Sequence, residues 1–173
     1  MPERERLTLE IGLADAPEVG RWLAAMEDGR RDTLKELEGI TEEMLDARPQ
    51  GSENTIGASL YHVALIEADW LFDDLLGEDL GATELASLFP FDARDEHGIL
   101  IGVAGIPLDE HLVRLARVRS VLLDRIGPMS IADFTAPRAR EGYDVSPVWV
   151  IHHLLQHESE HRAEIGWLRR HNG

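Results

Sequence analysis

The chain has 173 residues, enough for a single domain spanning residues 1–173 with its own hydrophobic core. It contains no cysteine, which excludes disulfides and thiolate metal sites and leaves His, Asp and Glu to hold any metal. With 33 acidic against 17 basic residues the formal charge is −16, which disfavours nucleic acid and anionic membranes as partners.

The opening Met1-Pro2-Glu3-Arg4-Glu5-Arg6 alternates in charge and has no apolar core, so it is not expected to act as a secretory signal. No apolar stretch approaches the roughly 20 residues that span a bilayer. A soluble cytoplasmic protein is expected.

Residues 16–38 place Val19, Trp22, Leu23, Met26, Leu34 and Leu37 at helical spacing after Asp15 as a candidate N-cap. A short turn follows at Thr41-Glu42-Glu43-Met44-Leu45. The second helix is expected from Asn54 or Thr55 to Leu76, stopped by Gly77. Its apolar residues cover most of its circumference, which predicts a central helix or one buried in a homodimer. His62 lies in its interior.

Residues 78–106 are irregular, with Phe89-Pro90-Phe91, several glycines and a short extended piece predicted at Ile99-Leu100-Ile101. So long a connection is either a functional lid or an ordered crossover. The third helix spans Leu108 to Ile126, with Leu112, Leu115, Val118 and Leu122 as its stripe and Gly127-Pro128 as its stop. Ser146-Pro147, an N-cap followed by proline at the first helical position, starts a fourth helix that runs to about Arg170. Nothing reads as a sheet. Four helices of this length predict an all-α four-helix bundle with a long irregular connection between helices 2 and 3.

The fourth helix carries His157-Glu158-Ser159-Glu160-His161. Imidazoles at i and i+4 share a helix face and reach one divalent ion. At roughly 100° per residue, Val150, Leu154, His157, His161, Ile165 and Leu168 fall within about 80° of arc, so both histidines are expected to point with the apolar stripe. His153 extends the series, but the outer pair is separated by about 12 Å along the axis and cannot share an ion with His157 between them. Spacing alone leaves 153/157 and 157/161 open, with 157/161 nearer the middle of the arc.

The pentapeptide also reads H-E-x-x-H, the zinc-peptidase signature in which the glutamate is a general base. No suitably spaced third ligand follows it, since Glu164 is too near and His171 is wrongly placed. The third ligand must come from upstream, and His62 is the best candidate. His97 and His111 could approach the site but are expected to be solvated.

Two stretches, His62-Val63-Ala64-Leu65-Ile66-Glu67-Ala68-Asp69-Trp70 and the H-x3-H-x3-H-R-x-[QE]-I run from His153 to Ile165, resemble the DinB-like superfamily of metal-binding four-helix bundles. That superfamily is also known through the mycothiol- and bacillithiol-dependent transferases. The resemblance covers nearly the whole chain and implies a metal triad of His62, His157 and His161, with His153 as a neighbouring residue that packs against or supports the ligands. It departs at Ala163, where many members have glycine. Zinc and nickel both suit three imidazoles.

Three histidines leave a coordination position for water or substrate, as reactive sites require. The expected activity is that of a thiol S-transferase or a hydrolase acting on a small molecule, with a low-molecular-weight thiol as candidate cosubstrate. The alternatives are a metal-binding stress-response or assembly protein without efficient turnover and, third, a peptidase. Glu158 is a candidate base, Asp69 a candidate cavity residue, and Arg138 and Arg140 candidate contacts for an anionic substrate.

Overall fold

The computed structural model describes residues 7–97, 100 and 103–172. Six helices dominate: α1 (Pro17–Glu36), α2 (Glu42–Asp46), α3 (Ile56–Asp69), α4 (Leu108–Ile126), α5 (Ile131–Thr135) and α6 (Pro147–His171). A hairpin of β1 (Arg138–Arg140) and β2 (Tyr143–Val145) pairs Arg138 opposite Val145, with Gly142 supplying the positive φ of 89° at the turn. This hairpin was not expected, because three-residue strands carry too little alternation to register as strands. The predicted extended piece at Ile99-Leu100-Ile101 lies partly outside the described residues, although Leu100 does bridge to Arg94.

The helix starts follow local chemistry. The hydroxyls of Thr41, Thr55, Ser130 and Ser146 each accept a hydrogen bond from a backbone N–H in the first turn of α2, α3, α5 and α6. Pro147 opens α6 as expected. At α1 the cap position is Ala16, with Pro17 in the first turn, so Asp15 lies one residue too early to cap. Beyond Asp69 the second long helix continues as a π-helix over Trp70–Leu76 and stops at Gly77, where φ is +67°.

Side-chain partners give the helix directions. His62 meets His161 while Trp70 meets Trp149, so α3 and α6 are antiparallel. Tyr61 lies beneath the Arg114 guanidinium and Glu67 binds Arg119, so α3 and α4 run the same way. A parallel successor obliges the chain to travel back along the length of α3 before α4 begins, which accounts for the long connection. That connection is pinned in passing, since the Tyr61 hydroxyl donates to Phe91 O at 2.7 Å and accepts from Phe91 N at 2.9 Å.

Leu23, Tyr61, Phe72, Leu122 and Val150 share the main hydrophobic cluster, and Leu45, Ile56, Leu60 and Ile165 belong to a second one. Twelve of the fourteen residues of α3 are buried. Its apolar circumference is therefore covered by this chain's own helices, and it gives no ground for a dimer contact. No helix among the described residues is long and apolar enough to cross a membrane.

The centre of this core is ionic. Arg30 of α1 donates through Nε to Glu158 Oε1 at 2.6 Å and through Nη2 to Glu67 Oε2 at 2.8 Å. Arg119 of α4 donates through Nε to Glu67 Oε1 at 2.7 Å and through Nη2 to Glu158 Oε2 at 3.0 Å. Each long helix thus contributes one charge to a buried quartet of two guanidinium groups and two carboxylates. Spare donors are satisfied too: Arg30 Nη1 bonds Leu115 O, and Arg119 Nη1 bonds Met26 O and the Glu27 carboxylate.

Candidate metal centre

The groove between α3 and α6 gathers three histidines. His62, His157 and His161 each offer one ring nitrogen such that the three atoms lie within 4.8 Å of one another. His62 Nε2 and His157 Nε2 are 3.1 Å apart. Three nitrogens on a tetrahedral ion at about 2.0–2.1 Å stand roughly 3.3 Å from one another. The His62–His157 pair is therefore close to the spacing an ion would impose, and His161 lies within reach of the same ion. His62 is buried, and the other two residues are partly buried.

The protonation states suit a cation. Burial, reinforced by His161 and then Arg94, lowers the His62 pKa to about 4. Burial, then His161 and His62, lowers that of His157 to about 3. Both rings are neutral at pH 7 and keep a lone pair for a ligand. Each would otherwise repel the other as an imidazolium, so a dicationic pair is a poor resting state for this groove.

His161 is oriented by a residue that sequence reasoning dismissed. Its Nδ1 lies 2.9 Å from Glu164 Oε2, which fixes the tautomer with the proton on Nδ1 and frees Nε2 for a ligand. Glu164 is itself held by Asn54 Nδ2 at 2.6 Å and by the Ser59 hydroxyl at 3.2 Å. The hydrogen bond to His161, with those from Asn54 and Ser59, lowers its pKa to about 2 against the opposing effect of burial. The available signal was the i, i+3 spacing to His161, which is lost among the many glutamates of this chain. His62 Nδ1, by contrast, is buried and has no partner among the described residues.

Glu158 is placed elsewhere. One residue beyond His157 turns the side chain by roughly 100°, and the carboxylate lies in the charge quartet with both oxygens bonded to Arg30 and Arg119. Burial pushes its pKa up, but the two guanidinium groups outweigh burial and hold it below the ordinary carboxylate range. A base must be free to take a proton, so the H-E-x-x-H reading loses its glutamate. The sequence signal for the quartet was a charged residue on the inward face of each long helix.

His153 stacks on Trp149, with ring centroids 5.1 Å apart, meets Trp70 at 5.0 Å and lies 6.1 Å from His157. It adjoins the triad rather than belonging to it. Asp69 is half-buried, and burial, then Asp73 and Asp74, raises its pKa to about 6. Arg138 and Arg140 bond the carbonyls of Leu75 and Asp74 at the end of the π-helical segment, so they cap a helix terminus instead of facing a ligand. His97 is solvated as expected, but His111 is 1% exposed, a correction. It packs beside Arg114, with Nδ1 and Nη1 3.3 Å apart, where α4 meets the crossover.

The crossover also reaches the triad. Arg94 lies near enough to both His62 and His157 to disfavour their charged forms. The described part of the connection thus carries a charge that acts on the histidines.

A helical fold in which two antiparallel helices bring three imidazoles together defines a helical protein with a candidate metal centre. The chain belongs to the DinB superfamily: the family model matches residues 25–165, which include the whole triad. Comparison with the curated proteins gives no match.

Proposed function

We propose that this chain is a four-helix bundle of the DinB type that holds zinc or nickel through His62, His157 and His161 and acts on a small molecule. A thiol S-transferase or a hydrolase is the activity the site supports best. The observation behind this reading is the convergence of three imidazoles, one of them oriented by Glu164 and two of them only partly buried. A metal bound there would lower the pKa of a water or thiol enough to make a nucleophile near neutral pH.

The chain's own residues have definite parts in this. His62 fixes the α3 side, and its burial keeps it neutral. His157 and His161, one turn apart on α6, supply the other two nitrogens on the more open side. Glu164 holds the proton on His161 Nδ1. Three protein ligands leave room for a fourth, as in reactive rather than closed structural sites. Because the chain has no cysteine, the thiol of a transferase reaction belongs to the cosubstrate.

Metal analysis of the purified protein tests the reading, with His62→Ala and His157→Ala beside the wild type. About one divalent ion per chain is expected in the wild type and a loss of more than tenfold in affinity in each variant. A wild type without stoichiometric metal ends the proposal. With metal present, a screen of low-molecular-weight thiols against electrophiles, and of ester and amide hydrolysis, decides the activity; no turnover in either leaves a binding role in stress response or assembly.

A further inference from the structure

One turn beyond His157 the groove becomes aromatic. Trp149, His153, His157 and His161 follow one another at four-residue spacing along α6, each ring within 6.1 Å of the next. Trp70 of the π-helical segment closes on this row from α3, 5.4 Å from Trp149. Beside the two tryptophans lies a cleft of about 560 Å³, lined also by Pro137 and by Tyr143 and Val145 of the hairpin. That volume is in the range of small-molecule sites.

The cleft is built rather than incidental. The Tyr143 hydroxyl bonds the Asp74 carboxylate, and Arg140 Nε donates to Asp74 O at 2.8 Å, which ties the hairpin to the segment carrying Trp70. The hairpin arginines are committed to backbone carbonyls, and among the described residues the one charged side chain lining the cleft is Asp144. An anionic group entering there would meet Asp144 and find no cation among the lining residues. Two indoles beside a carboxylate favour an apolar group that is uncharged or positive.

We propose that the Trp70–Trp149 cleft holds the apolar, uncharged or cationic part of the small molecule whose reacting end reaches His62, His157 and His161. This rests on the triad being the reactive centre. The aromatic row supplies the continuity, because His153 touches both tryptophans on one side and adjoins His157 on the other. The substrate class is therefore a molecule with an aromatic or branched aliphatic arm and no carboxylate or phosphate at that end.

Three probes with one arm and different heads test it: 3-phenylpropan-1-amine, 3-phenylpropan-1-ol and 3-phenylpropanoate, titrated by calorimetry into metal-free protein at pH 7. The amine and alcohol are expected to bind at least tenfold more tightly than the carboxylate. Trp149→Ala, at a half-exposed position that need not disturb the fold, weakens both by tenfold or more, and Asp144→Asn narrows the gap between amine and carboxylate. Equal binding of all three probes, no binding of amine or alcohol, or an unaffected Trp149→Ala overturns the proposal. So does a change of mass in the Trp149→Ala protein by ultracentrifugation, which would make the tryptophan a contact between copies. In the nickel-loaded protein, faster relaxation of the bound alcohol's protons than with zinc connects cleft and triad, and its absence separates them. A protein that takes up no nickel removes the triad reading and the link together, while calorimetry on metal-free protein still reports the cleft by itself.

Discussion

Glu164 does for His161 what no described residue does for His62, and the difference sets how each candidate ligand responds to mutation. Removing the carboxylate in Glu164→Ala frees the His161 ring to rotate and to change tautomer. Metal affinity is expected to fall about 10- to 100-fold, read by competition with a chromogenic chelator. Glu164→Gln, whose amide oxygen still accepts, should retain most of it; equal affinity in Glu164→Ala and wild type would sink the orienting role. His111 carries a separate prediction. Its pKa is lowered to about 4 by burial, then by Arg114, while Asp46 opposes. Between the ordinary value of 6.5 and about 4, the unfolded chain binds a proton that the folded chain refuses. Stability of the metal-free protein is therefore full above that window and falls as pH drops through it, by up to roughly 3 kcal/mol from this residue. Urea melts at pH 7 and pH 4.5 should show a smaller difference in His111→Gln than in wild type. At this scale the histidines of α6 were legible because i, i+4 spacing is a local property. Glu164 and His111 were not, because their partners, Asn54, Ser59 and Arg114, are defined by how helices pack or by contacts with nothing unusual in their spacing.

Helix α6 divides its labour around its circumference: His157 faces the groove and Glu158 the quartet. The quartet replaces apolar packing at the junction of all four long helices, and its charges balance. Burial alone would lower the Arg119 pKa, but Glu67 and Glu158 outweigh it and hold the group firmly charged. Breaking such a set leaves an uncompensated buried charge. Glu158→Ala is expected to cost about 3–5 kcal/mol in urea unfolding of the metal-free protein. Glu158→Gln should also destabilise, yet keep metal affinity within a few-fold of wild type, because the carboxylate does not approach the triad. A wild-type melt for Glu158→Ala, or loss of metal in a folded Glu158→Gln, would contradict this division. The helices themselves were readable from their caps and stops, and α4 lies where its stripe and Gly127 put it. The inward charges escaped notice because a glutamate at the border of an apolar arc looks the same whether it meets water or two arginines from other helices.

Across the molecule, the parallel course of α3 and α4 joins fold to site. It demands a crossover, and the crossover brings Phe91 to Tyr61 and Arg94 to the histidines. Because the triad draws on α3 and α6, an ion bound there ties together two helices far apart in the sequence and stabilises only the folded state. At a free metal concentration of 100 times Kd this linkage amounts to about 2.7 kcal/mol, or a rise in melting temperature of roughly 5–10 °C. Thermal melts with chelator and with added zinc or nickel should show that shift in wild type and not in His62→Ala. An equal shift in both proteins would place the ion elsewhere.

By itself the sequence determined the helical class, the stops of the long helices at Gly77 and Gly127, the exclusion of thiolate ligation and the placing of His153, His157 and His161 on one face of the last helix, since each depends on residues within a few positions of one another; the choice of 157/161 over 153/157 came only from the family resemblance. It also made His62 the candidate third ligand, through the lack of a suitable one downstream and through resemblance to a family. Only the tertiary structure decided that His62 comes within 3.1 Å of His157, that Glu158 serves the core and that Trp70 joins Trp149 beside the groove. Those are distances between helices, fixed by side-chain packing and by a single choice of rotation for each helix. Local spacing does not contain that choice.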